Sequence, residues 1–264
     1  MMRVRILLFV LLVLPLIRTA TQSQPVNANA LTRLFLVRYK SFTGSSFTIE
    51  VDGRQYLITA KHVLPGIKDV DTVYLRGDPS HDGTYAWIPT PVTVLKCEPS
   101  PVDVVVLAPQ RQLSPTFELP PDMTGIVAGQ DVYFLGFPYA IIGGHASKNN
   151  WFPLPLIKSG TLSTWEKING EYVELLVDGF INPGFSGGPL LFFDRQQRKL
   201  KVAGVVVGYI AQFDSVYSLD TLSKPPLKIA TGDFIESNSG IIMAFGIKSV
   251  LDAIHRNPVG APIK

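Results

Sequence analysis

Short β-type runs separated by turn residues follow one another from Leu34 onward, and this alternation constrains the fold more than any other feature of the chain. The 22 glycines and 21 prolines stand mostly between the runs, and no helical segments alternate with them. The pattern therefore predicts an all-β protein rather than an α/β protein. The candidate strands are Ser46–Val51, Gln55–Ala60, Val73–Leu75, Val92–Cys97, Val102–Leu107, Val132–Leu135, Tyr172–Val177, Pro189–Phe193, Val202–Ile210 and Ile241–Phe245.

Two local signals place turns and ends within this series. Asp52-Gly53 separates two of the runs and predicts a tight β-hairpin. Apolar residues at 247, 250, 251 and 254 recur at the spacing of a helical stripe, and Pro258 follows them. We therefore expect one C-terminal helix at 247–256.

The segment Pro109–Pro121 is rich in proline and polar residues and has no period. It predicts a connector between two β lobes, at about 33–110 and 120–246, within one domain that covers residues 30–264. Two further segments, Phe137–Ser159 and Ala211–Ser239, read as long loops. Because long loops are usually functional or disordered, we expect both to border a substrate cleft.

The N-terminus has the form of a secretory signal. Arg3 and Arg5 precede an apolar run that begins at Ile6 and falls short of the ~20 residues of a membrane-spanning helix. We expect residues 1–23 to be a signal peptide, with no stable membrane span after its cleavage, and the body to be periplasmic or secreted. An uncleaved N-terminal anchor is the alternative.

Composition narrows the class of protein further. Cys97 is the only cysteine, so no intrachain disulfide can form. The lack of disulfides favours a protein of the bacterial envelope or a secreted bacterial protein. We expect the Cys97 side chain to be a small buried hydrophobic group. The net charge of +3 comes without a basic tract, so a nucleic-acid partner is not expected. His81 and His145 stand in polar loops without metal-ligand spacing, and we expect neither a metal nor another cofactor.

The hexapeptide Gly184–Pro189 stands directly before an apolar strand and carries Ser186 at its centre. A serine hydroxyl becomes a useful nucleophile only when a base takes its proton. Glycines on both sides allow a tight turn that aims the amides of Gly184 and Ser186 at one point, where an oxyanion would form. An ordinary Gly-Gly-Pro turn is the alternative.

Two further polar residues stand in strongly apolar surroundings. His62 follows the apolar run Leu57–Ala60, and Asp103 lies in the run Val102–Leu107. A buried carboxylate is costly without a partner, and a catalytic imidazole needs a carboxylate to hold its tautomer and its charged form. The three segments together predict a Ser-His-Asp site.

At this point the chain resembles the chymotrypsin-like serine peptidases, most closely their HtrA-like bacterial branch. His62, Asp103 and Ser186 occur in the family's order, and residues 240–247 resemble its last strand before the final helix. The resemblance implies two six-stranded β-barrels with the site in the cleft between them. It implies that His62 is the general base, Asp103 the orienting acid and Ser186 the nucleophile. It further implies that the amides of Gly184 and Ser186 bind the oxyanion, and that the substrate is a protein or peptide.

Some positions depart from the family's pattern. Phe185 replaces an aspartate that captures a new N-terminus in pancreatic-type enzymes, which implies that no such zymogen switch operates. Lys61 stands where a small residue is usual, and Val207 stands where a serine often bonds the catalytic aspartate. The peptide-binding module that follows many HtrA-like domains is not expected here.

The resemblance also implies where the side chain before the cut bond would bind. Phe180, six residues before Ser186, maps to the base of that pocket, and Ile241 maps to one wall. Val207 and Tyr209 lie on the strand edge where substrate backbone would pair. Since no carboxylate stands there, we expect a preference for small or medium aliphatic residues over Lys and Arg.

Two other interpretations compete with this one. Gly-x-Ser-x-Gly also occurs in α/β-hydrolases, but those need a helix after the serine and a histidine downstream, where only His255 stands. The other is an inactive protease fold that serves as a binding or scaffold protein, although the three catalytic residue types are all present. Four other aspartates compete with Asp103, and all of them stand in polar surroundings.

Overall fold

The computed structural model describes residues 26–77, 85–142, 153–168 and 172–264. The expected signal segment, His81 and His145 lie outside these residues. In the described part of the chain, no helix is long and apolar enough to span a bilayer.

The first barrel closes through six antiparallel strands. β3 pairs with both β2 and β6, so the ring runs β3-β2-β1-β4-β5-β6 and returns to β3. The strands are β1 (Leu34–Tyr39), β2 (Phe42–Val51), β3 (Arg54–Ala60), β4 (Val70–Gly77), β5 (Ala86–Lys96) and β6 (Val104–Pro109).

The second barrel is also closed and antiparallel, in the order β10-β11-β12-β9-β8-β7. Two closed barrels with little helix confirm the all-β, two-barrel fold that the sequence predicts. The strands are β7 (Asp131–Gly136), β8 (Leu156–Ile168), β9 (Tyr172–Asp178), β10 (Pro189–Asp194), β11 (Lys199–Asp220) and β12 (Leu227–Gly246).

The predicted hairpin between β2 and β3 is confirmed, with Val51 paired to Arg54 across a two-residue turn. Asp52 and Gly53 both have positive φ, 49° and 70°. Positive φ at both central residues is what a type I′ turn requires, and its twist matches that of the flanking strands. Asp and Gly tolerate this conformation, so local chemistry alone specifies this corner of the barrel.

The remaining elements lie before, between and after the two barrels. A short helix, α1 (Ala28–Leu31), precedes β1, and the predicted connector crosses between the barrels without regular structure. Helix α2 (Lys248–Arg256) confirms the predicted C-terminal helix and packs against β5 and β6 of the first barrel. A final strand, β13 (Ala261–Pro262), pairs with β3.

Each barrel has an apolar interior. The first barrel's interior holds Phe47 and Tyr56. Every residue of β6 is buried, so this strand is covered on both of its faces. The second barrel's interior holds Phe134, Phe185 and Phe192. Phe185, the residue before the candidate nucleophile, therefore lies in this second core.

The expectation that Ala211–Ser239 is a long loop is wrong. Strands β11 and β12 run on beyond the barrel as a two-stranded ribbon, which we call the arm (residues 211–238). Alternating side chains and backbone pairing across the ribbon give it regular structure despite its Gly, Pro and Asp content. Within Phe137–Ser159, the described residues form a 3-10 turn at Pro138–Ala140 and the start of β8, and the other residues of the segment include 143–152, which lie outside the described part.

Candidate active site

His62 and Asp103 come together because β3 and β6 are neighbours in the first barrel. Ala60 at the end of β3 pairs with Val104 at the start of β6. His62 follows in a 3-10 turn, and Asp103 immediately precedes β6. The pairing therefore brings two residues that are 41 positions apart to the same end of the barrel.

Asp103 holds His62 through both of its carboxylate oxygens. Oδ2 lies 2.5 Å from Nδ1 of the imidazole, and Oδ1 accepts from the backbone N–H of His62 at 3.0 Å. Because an ionised carboxylate only accepts, Nδ1 carries the proton and Nε2 is left as the basic nitrogen. The pair is half-exposed rather than buried, with 48 % of the His62 side chain accessible.

The sequence alone does not show how Lys61 packs beside His62, and in the structure its side chain does not crowd the imidazole. Its side chain is exposed, and its backbone N–H donates to the carbonyl of Asp103 at 3.1 Å. The residue thus adds a third bond between the two segments while its ammonium lies in solvent.

The turn at Gly184–Pro189 precedes β10 of the second barrel and is anchored by Phe185. Phe185 is fully buried and meets the ring of Phe134 edge-on, with centroids 5.5 Å apart. Such aromatic pairs add about 0.5–1.5 kcal/mol beyond their area burial. A large apolar residue before Ser186 therefore fastens the turn to the second core.

None of the three glycines of the turn can be replaced without displacing backbone; at Gly188 a Cβ would lie 2.0 Å from the carbonyl oxygen of Leu135, and the other two also have positive φ. Gly184 has a φ of +107°, and a Cβ there would lie 2.5 Å from the carbonyl oxygen of Phe137. Gly187 has a φ of +86°, and a Cβ there would lie 2.1 Å from the carbonyl oxygen of Ser45. Positive φ and close packing both exclude a side chain at these positions.

The amides of Gly184 and Ser186 donate no hydrogen bond to any other residue that the structure describes. Their neighbours in the turn do: Gly187 donates to Val206, and Gly188 donates to Phe185. Two free amides beside a serine hydroxyl are what an oxyanion site requires.

The hydroxyl of Ser186 is half-buried and donates to the backbone carbonyl of Val207 at 3.1 Å. Among the described residues, no hydrogen bond joins it to His62. The main chain of Val207 therefore contacts Ser186, and the side chain of Val207 is buried. Catalytic hydrogen bonds are often unformed without substrate.

Ser45 is a residue of the site that the sequence analysis missed. Its Oγ donates to the carbonyl of Gly184 at 2.7 Å and accepts from the N–H of Phe137 at 2.9 Å, while its own N–H donates to the carbonyl of Ser186 at 2.8 Å. A first-barrel strand thus holds the second-barrel turn by two bonds and the backbone of Phe137 by a third. No pattern near Ser45 indicates this, because its partners are 92 to 141 residues away.

The expected specificity residues lie around one end of the second barrel. Phe180 is 53 % exposed, and Lys158 lies 5.4 Å from its ring centroid while bonding its carbonyl at 2.8 Å. Tyr209 donates to Glu236 at 3.3 Å, and Ile241 is partly exposed. Lys158 places a cation beside the expected pocket base, which the sequence did not indicate.

A cavity of about 880 Å³ opens beside His62 and Asp103. Its walls come from residues 64–67, residues 96–100 and Tyr172. Cys97 lines it but is otherwise buried, as the sequence predicts, and desolvation raises the pKa of the thiol to about 12. Because the thiolate is the reactive form, this cysteine is inert at neutral pH. The described residues include no cluster of His, Cys, Asp and Glu suited to a metal ion.

Comparisons with known proteins identify the family and the fold of the chain. Residues 44–203, more than half of the chain, match the family described as the trypsin-like peptidase domain. A mutant of Rv3671c from M. tuberculosis in its inactive form superposes with a TM-score of 0.51 at 20% identity, covering 90% of this chain and 92% of that one. The active form of Rv3671c gives 0.52 at 19% identity, covering 90% and 86%. The serine endoprotease from Yersinia pestis gives 0.52 at 17% identity, covering 90% and 68%. A search of curated protein sequences found no match.

Proposed function

Because the chain belongs to the trypsin-like peptidase family, whose members are serine proteases, we propose that it is an exported endopeptidase that uses Ser186, His62 and Asp103 as its catalytic triad. The observation that carries this proposal is the two-point hold of Asp103 on His62, which leaves Nε2 basic and unbonded within the described structure. The free amides of Gly184 and Ser186 support it.

The reaction follows from these positions. The Ser186 hydroxyl turns from the carbonyl of Val207 to Nε2 of His62, gives up its proton there, and its oxygen attacks the substrate carbonyl carbon. The amides of Gly184 and Ser186 donate to the resulting oxyanion. His62 then passes the proton to the departing amine, which leaves an ester on Ser186. Water, deprotonated by His62, hydrolyses that ester by the same route.

We propose that the side chain before the cut bond is small or medium and aliphatic. Phe180 supplies an apolar base, and the ammonium of Lys158 beside it would repel Lys or Arg. One methylene in such a pocket changes discrimination by only about 1–3 kcal/mol, so the preference is graded. A peptide library should yield cuts after Val, Ala or Leu, and cuts mainly after Arg would contradict the assignment.

We also propose that residues 1–23 direct export and are removed, which leaves a chain that begins at residue 24 and contains the protease domain at residues 30–264. The charged start and the short apolar run support this. N-terminal sequencing of the protein recovered from a bacterial envelope or culture medium should begin at residue 24. An intact N-terminus would favour the uncleaved anchor.

The triad is tested by labelling with a fluorophosphonate probe and by hydrolysis of an unfolded protein. Wild type should be labelled once, at Ser186, and should hydrolyse the unfolded protein. Ser186→Ala and His62→Ala should lose both, while His255→Ala, an exposed histidine on α2, should keep them. A folded wild type with neither activity would establish the scaffold alternative instead, for which the bond from Ser186 to Val207 is the supporting observation.

A further inference from the structure

The arm exposes an unusual amount of apolar surface for a segment with regular structure. It leaves the barrel after Tyr209, and every residue from 224 to 236 is exposed. Large apolar side chains occur along its whole length, and each of the following is more than half exposed: Phe213, Tyr217, Leu219, Ile229, Phe234 and Ile235.

In the described part of the chain no third strand pairs with this ribbon on either side. Its base is held by Asn238, which donates to the carbonyl of Ile181 at 3.0 Å, and by the bond from Tyr209 to Glu236. Along the arm, β11 pairs only with β12, because the pairing of β10 ends at Val205 and that of β9 ends at Ile241. An isolated two-stranded ribbon is marginally stable in water, and unpaired strand edges with exposed apolar groups are surfaces for association.

The strand register gives one face of the arm a distinct order of side chains. Phe213 lies opposite Glu236, Ser215 opposite Phe234, Tyr217 opposite Ala230, and Leu219 opposite Lys228. Directly opposed residues share a face, and alternate residues of β11 lie on that same face. The ladder is irregular between Ser215 and Tyr217, where β12 carries two extra residues, and an even number keeps Phe234 and Ala230 on one face. The face therefore carries a carboxylate near the barrel, an apolar centre, and an ammonium near the tip.

This order is self-complementary when reversed. We propose that the arm is a dimerisation surface, on which the arms of two copies pack antiparallel about a two-fold axis through this face. Glu236 of each copy then lies against Lys228 of the other, and the apolar centres meet between them. A two-fold interface requires such a self-complementary patch. The second oxygen of Glu236 is free for this, since Tyr209 bonds Oε1.

The charges of the whole arm favour a second copy over a lipid surface. Asp214, Asp233 and Glu236 lie toward the barrel, whereas Lys224 and Lys228 lie toward the tip with Asp220. Antiparallel packing sets the acidic half of one arm beside the basic tip of the other. An arm with four carboxylates and two lysines has the wrong net charge for anionic lipid.

The test is charge exchange, measured by sedimentation velocity on the full chain in the Ser186→Ala background, which prevents self-cleavage. Wild type should dimerise at micromolar concentration. Glu236→Lys and Lys228→Glu should each weaken dimerisation by roughly tenfold or more at low salt, since each turns two attractions into repulsions. An equal mixture of the two variants should form a heterodimer within about threefold of the wild-type affinity, because opposite charges meet again.

Apolar variants supply the matched control. Phe234→Ser on the proposed face should abolish the dimer, whereas Ile235→Ser on the opposite face should keep it. The proposal is overturned if wild type stays monomeric at 100 micromolar, if the mixed variants associate no better than each alone, or if the two serine variants behave alike. It is also overturned if Phe234→Ser abolishes binding to phosphatidylglycerol vesicles without changing sedimentation.

Discussion

The two barrels hold their shares of the proposed catalytic site in different ways. The first barrel presents His62 and Asp103 at the ends of paired strands, half-exposed and joined by hydrogen bonds. The second barrel presents Ser186 on a turn whose neighbours are buried, with Phe185 in its core and Gly187 against the other barrel. The proposed base is therefore oriented by polar contacts, and the turn that carries the proposed nucleophile is held by packing.

The difference implies that the two halves respond to different substitutions. Loss of a polar group beside His62 leaves the backbone in place and changes proton transfer. An added methyl group in the nucleophile turn has no free space, so it moves backbone amides. Substitutions beside His62 and Asp103 should therefore lower the reaction rate without lowering stability. Substitutions in the turn that carries Ser186 should lower both.

The largest loss of activity is expected from Asp103→Asn, which changes only the polar contacts that orient His62. The asparagine amide can donate to Nδ1 and so favour the wrong tautomer, and kcat should fall by about 10⁴ with little change in thermal stability. Steady-state kinetics and thermal unfolding measure this. Asp69→Asn, which removes an exposed ion pair with Lys96, is the control and should keep full activity. An Asp103→Asn enzyme within tenfold of wild type would contradict the assignment.

Gly184→Ala breaks the packed half. The methyl group would displace the carbonyl of Phe137 or move the Gly184 amide, so kcat should fall by about 10²–10³, the usual cost of an oxyanion donor. Gly129→Ala is a matched control, because Gly129 also has positive φ, +79°, with nothing within 4 Å of its Cβ position. That control should lose stability through backbone strain while keeping its kcat, and equal losses of kcat in both variants would count against the oxyanion role.

Ser45→Ala sharpens the comparison at the point where the barrels meet. Removing Oγ leaves the carbonyl of Gly184 and the amide of Phe137 without a partner, which costs about 1–3 kcal/mol of stability. The turn should loosen, with kcat down by roughly tenfold and KM little changed. Ser46→Ala, which removes a buried bond to Phe35, should cost similar stability at full kcat. If the two variants share one kcat, Ser45 is structural only.

The smallest expected effect is on the stability of the second barrel at low pH. Lys201 is buried against Asp194 and Asp122. The carboxylate of Asp194 accepts hydrogen bonds from the Lys201 ammonium and from the backbone N–H of Gln197, and these bonds hold the pKa of Asp194 below its usual range. A carboxylate with a lowered folded-state pKa stabilises the fold above its unfolded pKa, near ~3.9, and loses that contribution as pH falls below it. The melting temperature should therefore drop below pH ~4.

The control for this prediction is Lys201→Met, which leaves both carboxylates without their cation. It should be less stable at neutral pH, and its melting temperature should change less on acidification than that of wild type. Parallel melting curves in the two proteins would show that this cluster does not set the acid response.

Much of the fold and of the candidate site follows from local sequence. The turn at Asp52-Gly53 and the stripe of α2 each occupy one short segment, and both predictions are confirmed. His62 and Asp103 stand out because polar residues are costly in apolar runs, and the structure places them in contact. Their catalytic roles stay a prediction.

The features that the sequence missed depend on distant partners or on mixed patterns. Strand β8 carries Lys158, Gly160 and Glu166 among its apolar residues, so no clean alternation marks it. The arm mixes Asp, Ser, Gly and Pro into two strands that are exposed on both faces, which reads as a loop. Ser45 shows no signal at all, because its importance arises from residues of the other barrel.

The return of the chain to the first barrel has a consequence for the time course of folding. Strand β13 pairs with β3 across more than 200 residues, and Arg54 bonds the carbonyl of Gly260 at 2.8 Å. During synthesis this end of β3, at Arg54 and Gln55, therefore lacks its β13 partner until the whole second barrel has emerged. Contacts of such long sequence separation slow folding. A protease assembled in this order gains its full structure only after its last strand is made, which delays the moment at which it could cut its own unfinished neighbours.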